Sequence, residues 1–181
     1  MRGWILDLYP WKKGEMVLWL KTEKGESVRL VDKWNPSIYV SGNKNELKRL
    51  ADVLSADRET ISCEFDEKYV RIQDTAKSTV LKINTPNPNR LAKEVLQIGR
   101  NRKYQVYNVD VPSTQIYLYE KDLFPLAYVD AEANGGSVGW ELHDSVESED
   151  YRLPPLRIMY LALKVDGKTP IPSLRDPVKE I

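Results

Sequence analysis

From Gly3 to Trp11, and again from Glu15 to Trp34, apolar and polar residues alternate along the chain. A period of two is the signature of strands with one buried face. Lys24-Gly25 breaks the second run where a turn would, so this part predicts N-terminal β hairpins. Trp4, Trp11, Trp19 and Trp34 fall in these runs and read as core and sheet-face packing rather than as a base-stacking platform.

The pattern then changes. Pro36–Val40 is a short strand, and from Asn43 to Leu54 the apolar residues Leu47, Leu50, Ala51 and Leu54 recur on one helical face. Asn43 followed by Glu46 resembles a capping box. The runs TISCEF and KYVRIQD, and then Ser78–Asn84, predict three strands. The next helix carries both of its boundaries: Asn87 as N-cap, Pro88 at the first helical position and Gly99 just past the end. Leu91, Ala92, Val95 and Ile98 form its stripe, and KYQVYNVDV returns as a strand. This order is an α+β arrangement: a ferredoxin-like βαββαβ-type unit over about residues 36–110, with one extra hairpin strand.

Pro112 to Pro125 reads as a short helix containing Ile116, Tyr117 and Tyr119. A β hairpin about Asn134-Gly135-Gly136 and an acidic loop follow, closed by Pro154-Pro155. LRIMYLALKV is then almost continuously apolar, which predicts a buried central strand.

Composition, 41% apolar and 30% charged, is that of a folded globular chain. Net charge is zero, so attraction to a polyanion must come from local asymmetry. Such asymmetry is present. Between Asn87 and Lys103 stand Arg90, Lys93, Arg100, Arg102 and Lys103 against Glu94 alone, whereas Tyr128–Tyr151 holds seven acidic residues and no Lys or Arg. Cys63 is the sole cysteine, which excludes an intrachain disulfide and suits a reducing, cytoplasmic setting. His143 is the sole histidine, so a His/Cys zinc site lacks ligands. No apolar run approaches a membrane span.

Three segments, in order, resemble the N-terminal part of archaeal family B DNA polymerases. WILDLYP is similar to their opening strand. YNVDVPSTQIYLYEKDLFPLAY is similar in its acidic strand end at Asp110, in Val111-Pro112, in the short helix with Tyr117 and in the Leu123–Pro125 exit. PPLRIMYLALKVDGKTPIPSLRDPV resembles the start of the 3′–5′ exonuclease domain, including Asp176-Pro177-Val178. The resemblance implies a polymerase-type N-terminal domain over residues 1–125, then a linker hairpin and the first strand of a ribonuclease-H-like exonuclease domain over residues 126–181.

It also implies what is missing. The family's exonuclease strand carries an Asp-x-Glu pair that holds two divalent metals, which activate water. The matching positions here are Ala162 and Lys164. Alanine cannot ligate a metal, and an ammonium repels one. Shifting by one residue offers Leu163 and Val165, equally inert, and Asp166 has no acidic partner two residues away. The family also has a template pocket that senses deaminated bases. Pro36 matches it, but Ser37 stands where an aromatic is expected, and Ser113 and Ile116 where the helix would supply an aromatic and an arginine. This reading expects no uracil preference.

The expected function is therefore a DNA-binding or scaffold region of a family B polymerase-like protein of an exonuclease-inactivated type. Its partners would be the template strand and the remainder of a polymerase or a polymerase subunit. Arg90, Lys93, Arg100, Arg102 and Lys103 would contact phosphates. The chain would need no cofactor and hold no metal; magnesium would serve only a downstream polymerase domain. Two alternatives stay open: a stand-alone single-stranded nucleic-acid-binding module, and an interaction subunit that docks through its apolar final strand.

Overall fold

The structure is a computed structural model that describes residues 1–99, 104–145, 147–148, 152–162, 164–165 and 178–180. Its first sheet has the order β3-β2-β1-β8-β9 and is antiparallel throughout. The strands are β1 (Arg2–Pro10), β2 (Glu15–Thr22), β3 (Ser27–Lys33), β8 (Tyr128–Asn134) and β9 (Ser137–Leu142). The alternation along β2 explains its place: Met16, Leu18 and Leu20 join the core on one face. A bulge at Leu6 shifts the β1–β2 register between Ile5 and Asp7. Bulges sharpen twist, and the sheet curls until its edges meet. Lys33 N donates to Gly136 O at 2.8 Å, and Val138 N donates to the Asp32 carboxylate at 3.0 Å. Gly135 and Gly136 both have positive φ, 60° and 92°, as a tight turn between β8 and β9 demands.

Helix α3 (Ser113–Glu120) plugs this curled sheet with Ile116, Tyr117 and Leu118, all buried. At its centre lies a polar group of side chains. Asp32, 1% exposed, accepts from the Tyr117 hydroxyl at 2.8 Å and pairs with Lys121 at 3.1 Å. Trp140 Nε1 donates to the same hydroxyl at 3.0 Å, and Trp34 meets the Tyr117 ring edge-on at 5.1 Å. Burial, and then the bond to Asp32, push the Tyr117 phenol well above its ordinary range.

The second sheet has the order β5-β6-β4-β7, formed by β4 (Ser37–Ser41), β5 (Ser62–Lys68), β6 (Ser78–Asn84) and β7 (Gln105–Tyr107). Helices α1 (Lys44–Leu54) and α2 (Pro88–Ile98) follow β4 and β6. Element order and all-antiparallel strand order are those of a ferredoxin-like unit. Both expected caps form: the Asn43 side chain accepts from Asn45 N, and that of Asn87 from Arg90 N. Leu47, Leu50, Leu54, Leu91 and Val95 pack on Ile38, Val40, Leu81 and Ile83, all at 1% exposure or less. Each such aliphatic contributes roughly 1.5–3 kcal/mol by leaving water. Gly99 has a spatial reason: a Cβ there would lie 2.5 Å from the Tyr104 ring. The Tyr104 hydroxyl reaches over to Glu46 O of α1 at 3.1 Å.

Three expectations are corrected. No extra hairpin strand forms: β5 runs unbroken to Lys68, and residues 69–77 are turns and coil. The polar composition of that segment, with Arg71 N bonded to the Asp74 carboxylate, closes a local turn instead. The strand after α2 is short, because Asn108 takes a left-handed backbone (φ 64°) and ends it. The apolar run from Leu153 is no buried central strand. Ile158, Met159, Tyr160 and Leu161 are 71%, 80%, 92% and 64% exposed, and among the described residues of the run only β10 (Lys164–Val165) pairs, with β11 (Val178–Glu180). A strand apolar on both faces needs cover on both, and the described residues supply none.

Candidate functional site

Four connecting segments from the two units line one cleft of about 570 Å³. They are the β1–β2 turn from Pro10 to Met16, the β3–β4 link at Trp34 and Pro36, the β6–α2 link at Pro86 and Pro88, and residues 108–113 before α3. The sequence makes these walls stiff. Prolines at 10, 36, 86, 88 and 112 fix φ at five points around the cleft. Backbone bonds brace them: Thr85 N donates to Pro36 O at 3.0 Å, and the Asn84 amide to Asn35 O at 2.7 Å. The first residues of α2 and α3, Pro88-Asn89 and Ser113, belong to the lining, so two helix N-termini with their positive dipole ends open onto it.

Of the four expected template-pocket positions, Pro36, Ser113 and Ile116 line this cleft. Ser37 is fully buried beside it, and its hydroxyl has no partner among the described residues. The fold therefore brings three of these positions, 36, 113 and 116, to one cavity from segments far apart in sequence. The opposite rim carries what the sequence reading assigned to packing. Trp11 is 58% exposed, with the Arg29 guanidinium 5.5 Å from its ring centre. It is followed by Lys12 and by Lys13, whose ammonium pairs with Glu59 at 2.5 Å. The signal was present: Trp11 lies between Pro10 and two lysines, a turn context and not a strand interior.

The expected phosphate contacts are less uniform. Arg90 is held by three carboxylates: Asp57 at 2.5 Å, Glu59 at 2.6 Å and Glu94 at 3.0 Å. Much of its charge is thus neutralised locally. The bond from Lys13, with help from Arg90, holds the Glu59 carboxyl below its usual range. Lys93 is exposed on α2. Arg100, Arg102 and Lys103 lie outside the described residues. At the positions expected to match the exonuclease pair, Ala162 is exposed and Lys164 opens β10, opposite Glu180 in the backbone register.

His143 directly follows β9, and its Nε2 lies 2.8 Å from Asp130. Asp130, Glu141 and His143 gather possible ligand atoms within 4.8 Å, but the Arg2 guanidinium already sits on Asp130 at 2.5 Å. The bond from Arg2, and next that from His143, hold the Asp130 carboxyl far below its usual range. Arg2 of β1 and Asp130 of β8 thus form an ion pair, to which His143 adds a hydrogen bond.

Comparison with known protein families finds no match, and comparison with curated proteins finds none either. Among solved structures, the chain is similar to the family B DNA polymerase from the hyperthermophilic archaeon Pyrobaculum calidifontis. The TM-score is 0.72 and the identity 24%, over 98% of this chain and 24% of that one. The fold is thus one found within a family B polymerase, and the chain spans about a quarter of that protein's length. No helix among the described residues is long and apolar enough to cross a membrane.

Proposed function

We propose that the chain is the DNA-binding and scaffolding N-terminal portion of a family B DNA polymerase-like protein, holding a single template strand along the cleft between its two sheets. The likeness to the archaeal polymerase over nearly the whole chain carries this reading. The cleft supports it chemically. Two helix N-termini, Lys12 and Asn89 offer favourable partners for phosphate, while Trp11 offers a ring face. Lys93, Arg100, Arg102 and Lys103 would add phosphate contacts without reading sequence. Arg90 would act mainly by bracing the Asp57–Glu59 turn against α2.

The residues do not fit an exonuclease metal centre. Neither Ala162 nor Lys164 offers a carboxylate, so the chain is read as exonuclease-inactivated, and magnesium would serve a polymerase domain outside these residues. The positions where the family's pocket would place its aromatics and its arginine hold Ser37, which is buried, and Ser113 and Ile116, which line the cavity. Uracil-containing and normal strands should then bind alike.

The test is fluorescence anisotropy with a labelled single-stranded oligonucleotide across a salt series. Affinity should fall steeply with salt, because releasing condensed counterions gains less free energy as the bulk salt rises. It should be abolished on reversing Arg100, Arg102 and Lys103 together. No binding at low salt would sink the reading. A ten-fold uracil preference, about 1.4 kcal/mol, would show that the pocket is intact.

A second reading, an interaction subunit, has one observation in its favour: the exposed apolar side chains from Leu153 to Leu161. Under it, Ile158→Asp with Tyr160→Asp would leave DNA binding unchanged and abolish self-association or partner capture in gel filtration.

A further inference from the structure

Pleating puts Tyr39 on the face of the second sheet opposite Ile38 and Val40, away from the two helices. Tyr107 of β7 is its direct cross-strand partner, and Tyr69 follows the end of β5. The three tyrosines, with Lys68, Val70, Val80 and Asn108, line a depression of about 320 Å³. Val80, 1% exposed, gives it an apolar base. Lys68 Nζ lies 5.8 Å from the centre of the Tyr39 ring, and Lys77 Nζ lies 5.9 Å from that of Tyr69. The nearby Asp66 carboxylate is paired with Lys68 at 3.2 Å. Tyr69 itself is 59% exposed, so its ring covers no core.

The geometry points to a stacking subsite for one base of a single-stranded nucleic acid. Three tyrosine rings around an apolar base suit a flat heteroaromatic ring, and the two ammoniums suit the phosphate that travels with it. The volume lies at the small end for a ligand pocket, which fits one ring system and not an extended molecule. Asn108 joins the subsite to the cleft, because it lines both cavities, and its left-handed backbone turns the chain between them. A strand lying in the cleft would pass Asn108 and place its next bases on the tyrosines. This rests on the reading of the cleft as a nucleic-acid groove. It adds a contact that depends on bases, where the cleft's cationic contacts depend on phosphates.

The full chain is titrated at low salt with labelled dT15 and rU15, and with dT15 carrying abasic sites throughout. Tyr69→Ala and Tyr107→Ala should each weaken dT15 binding about ten-fold, whereas Tyr69→Phe should bind as the wild type does. The abasic strand should bind the wild type weakly and the Tyr69→Ala chain no more weakly still. Whichever of dT15 and rU15 binds more tightly identifies the natural strand. Tyr69→Ala removes an exposed ring, and an unchanged melting temperature secures it as a folded control. If both alanine variants bind dT15 as the wild type does while Lys12→Glu weakens it, the subsite falls and the cleft stands. If the alanine variants weaken binding and Lys12→Glu does not, the subsite stands and the cleft falls. No binding by the wild type overturns both.

Discussion

The two sheets solve the same packing problem with different chemistry. The ferredoxin-like unit fills its centre with aliphatic side chains between one sheet face and two helices. The curled sheet fills its centre with apolar residues around an ionic one: Asp32, held by Tyr117, Lys121 and the backbone of Val138. The difference follows from geometry. A sheet that curls to meet its own edge leaves a seam between β3 and β9 where ladder bonds are incomplete. The Asp32 carboxylate bonds across that seam to Val138 N, fixing the closure in one register. Aliphatic packing gives stability without direction, whereas a buried carboxylate gives direction and makes the site intolerant of losing any partner.

Four measurements break or sharpen this contrast. Asp32→Ala should have the largest effect, about 4 kcal/mol in urea unfolding, because it strands the Tyr117 hydroxyl, Val138 N and the Lys121 ammonium together. A loss below about 1 kcal/mol would show that the seam does not depend on it. Leu81→Ala in the aliphatic centre should cost about 3 kcal/mol, the ordinary price of a cavity, with no change in pH dependence. Tyr117→Phe should cost about 1.5 kcal/mol, since it removes one donor to Asp32 and the acceptor of Trp140 Nε1.

That variant also carries a pH signature. The Tyr117 phenol is raised in the folded state, while an unfolded tyrosine ionises near about 10. The unfolded chain therefore loses its proton first as pH rises. Stability from this group is complete below about pH 10 and drains away above it. The wild type should lose stability between neutral pH and pH 11 more steeply than Tyr117→Phe. Tyr39, raised by burial to about 12, and Tyr104, also raised by burial, leave a smaller slope in both. Equal slopes would place the alkaline sensitivity in other tyrosines, Tyr128 of β8 among them. The smallest effect is expected at Arg90→Ala in urea unfolding, because its three ion pairs lie at the surface, where water screens them.

The elements most legible in the sequence were those whose local and tertiary demands coincide. Asn87, Pro88 and Gly99 mark α2 because cap, first turn and exit each need those residue types, and Gly99 is needed again under Tyr104. The hairpin at Asn134 to Gly136 was equally plain, since both of its glycines have positive φ. KYVRIQD misled because alternation alone cannot tell a strand from a polar excursion, and no neighbouring strand receives it. LRIMYLALKV misled in the opposite sense: its composition describes a burial that the described residues do not provide. That positions 36, 113 and 116, expected for a template pocket, line one cavity was foreseen only through the resemblance, because periodicity says nothing about which connections meet. The tyrosine depression was invisible for a related reason. Its members, Tyr39, Tyr69 and Tyr107, come from three separated segments, and only the strand order brings them together.

The position of β1 has a consequence for how the chain is made. Arg2, Gly3 and Trp4 pair with Asp130, Val129 and Tyr128, so the ferredoxin-like unit is an insertion between β3 and the strand that completes the first sheet. On a ribosome adding about 5–20 residues per second, the meander β1-β2-β3 waits about 5–20 s for β8 with the β1 edge bare. The entropy of closing so long a loop grows only as its logarithm, so the delay itself is the hazard. An unpaired edge beside the unburied Ile5 is a template for the wrong neighbour until the right one is synthesised. The inserted unit has shorter-range pairings and can fold during the wait. Nascent chains arrested before residue 128 should therefore contain one protease-resistant half and one half that depends on chaperones.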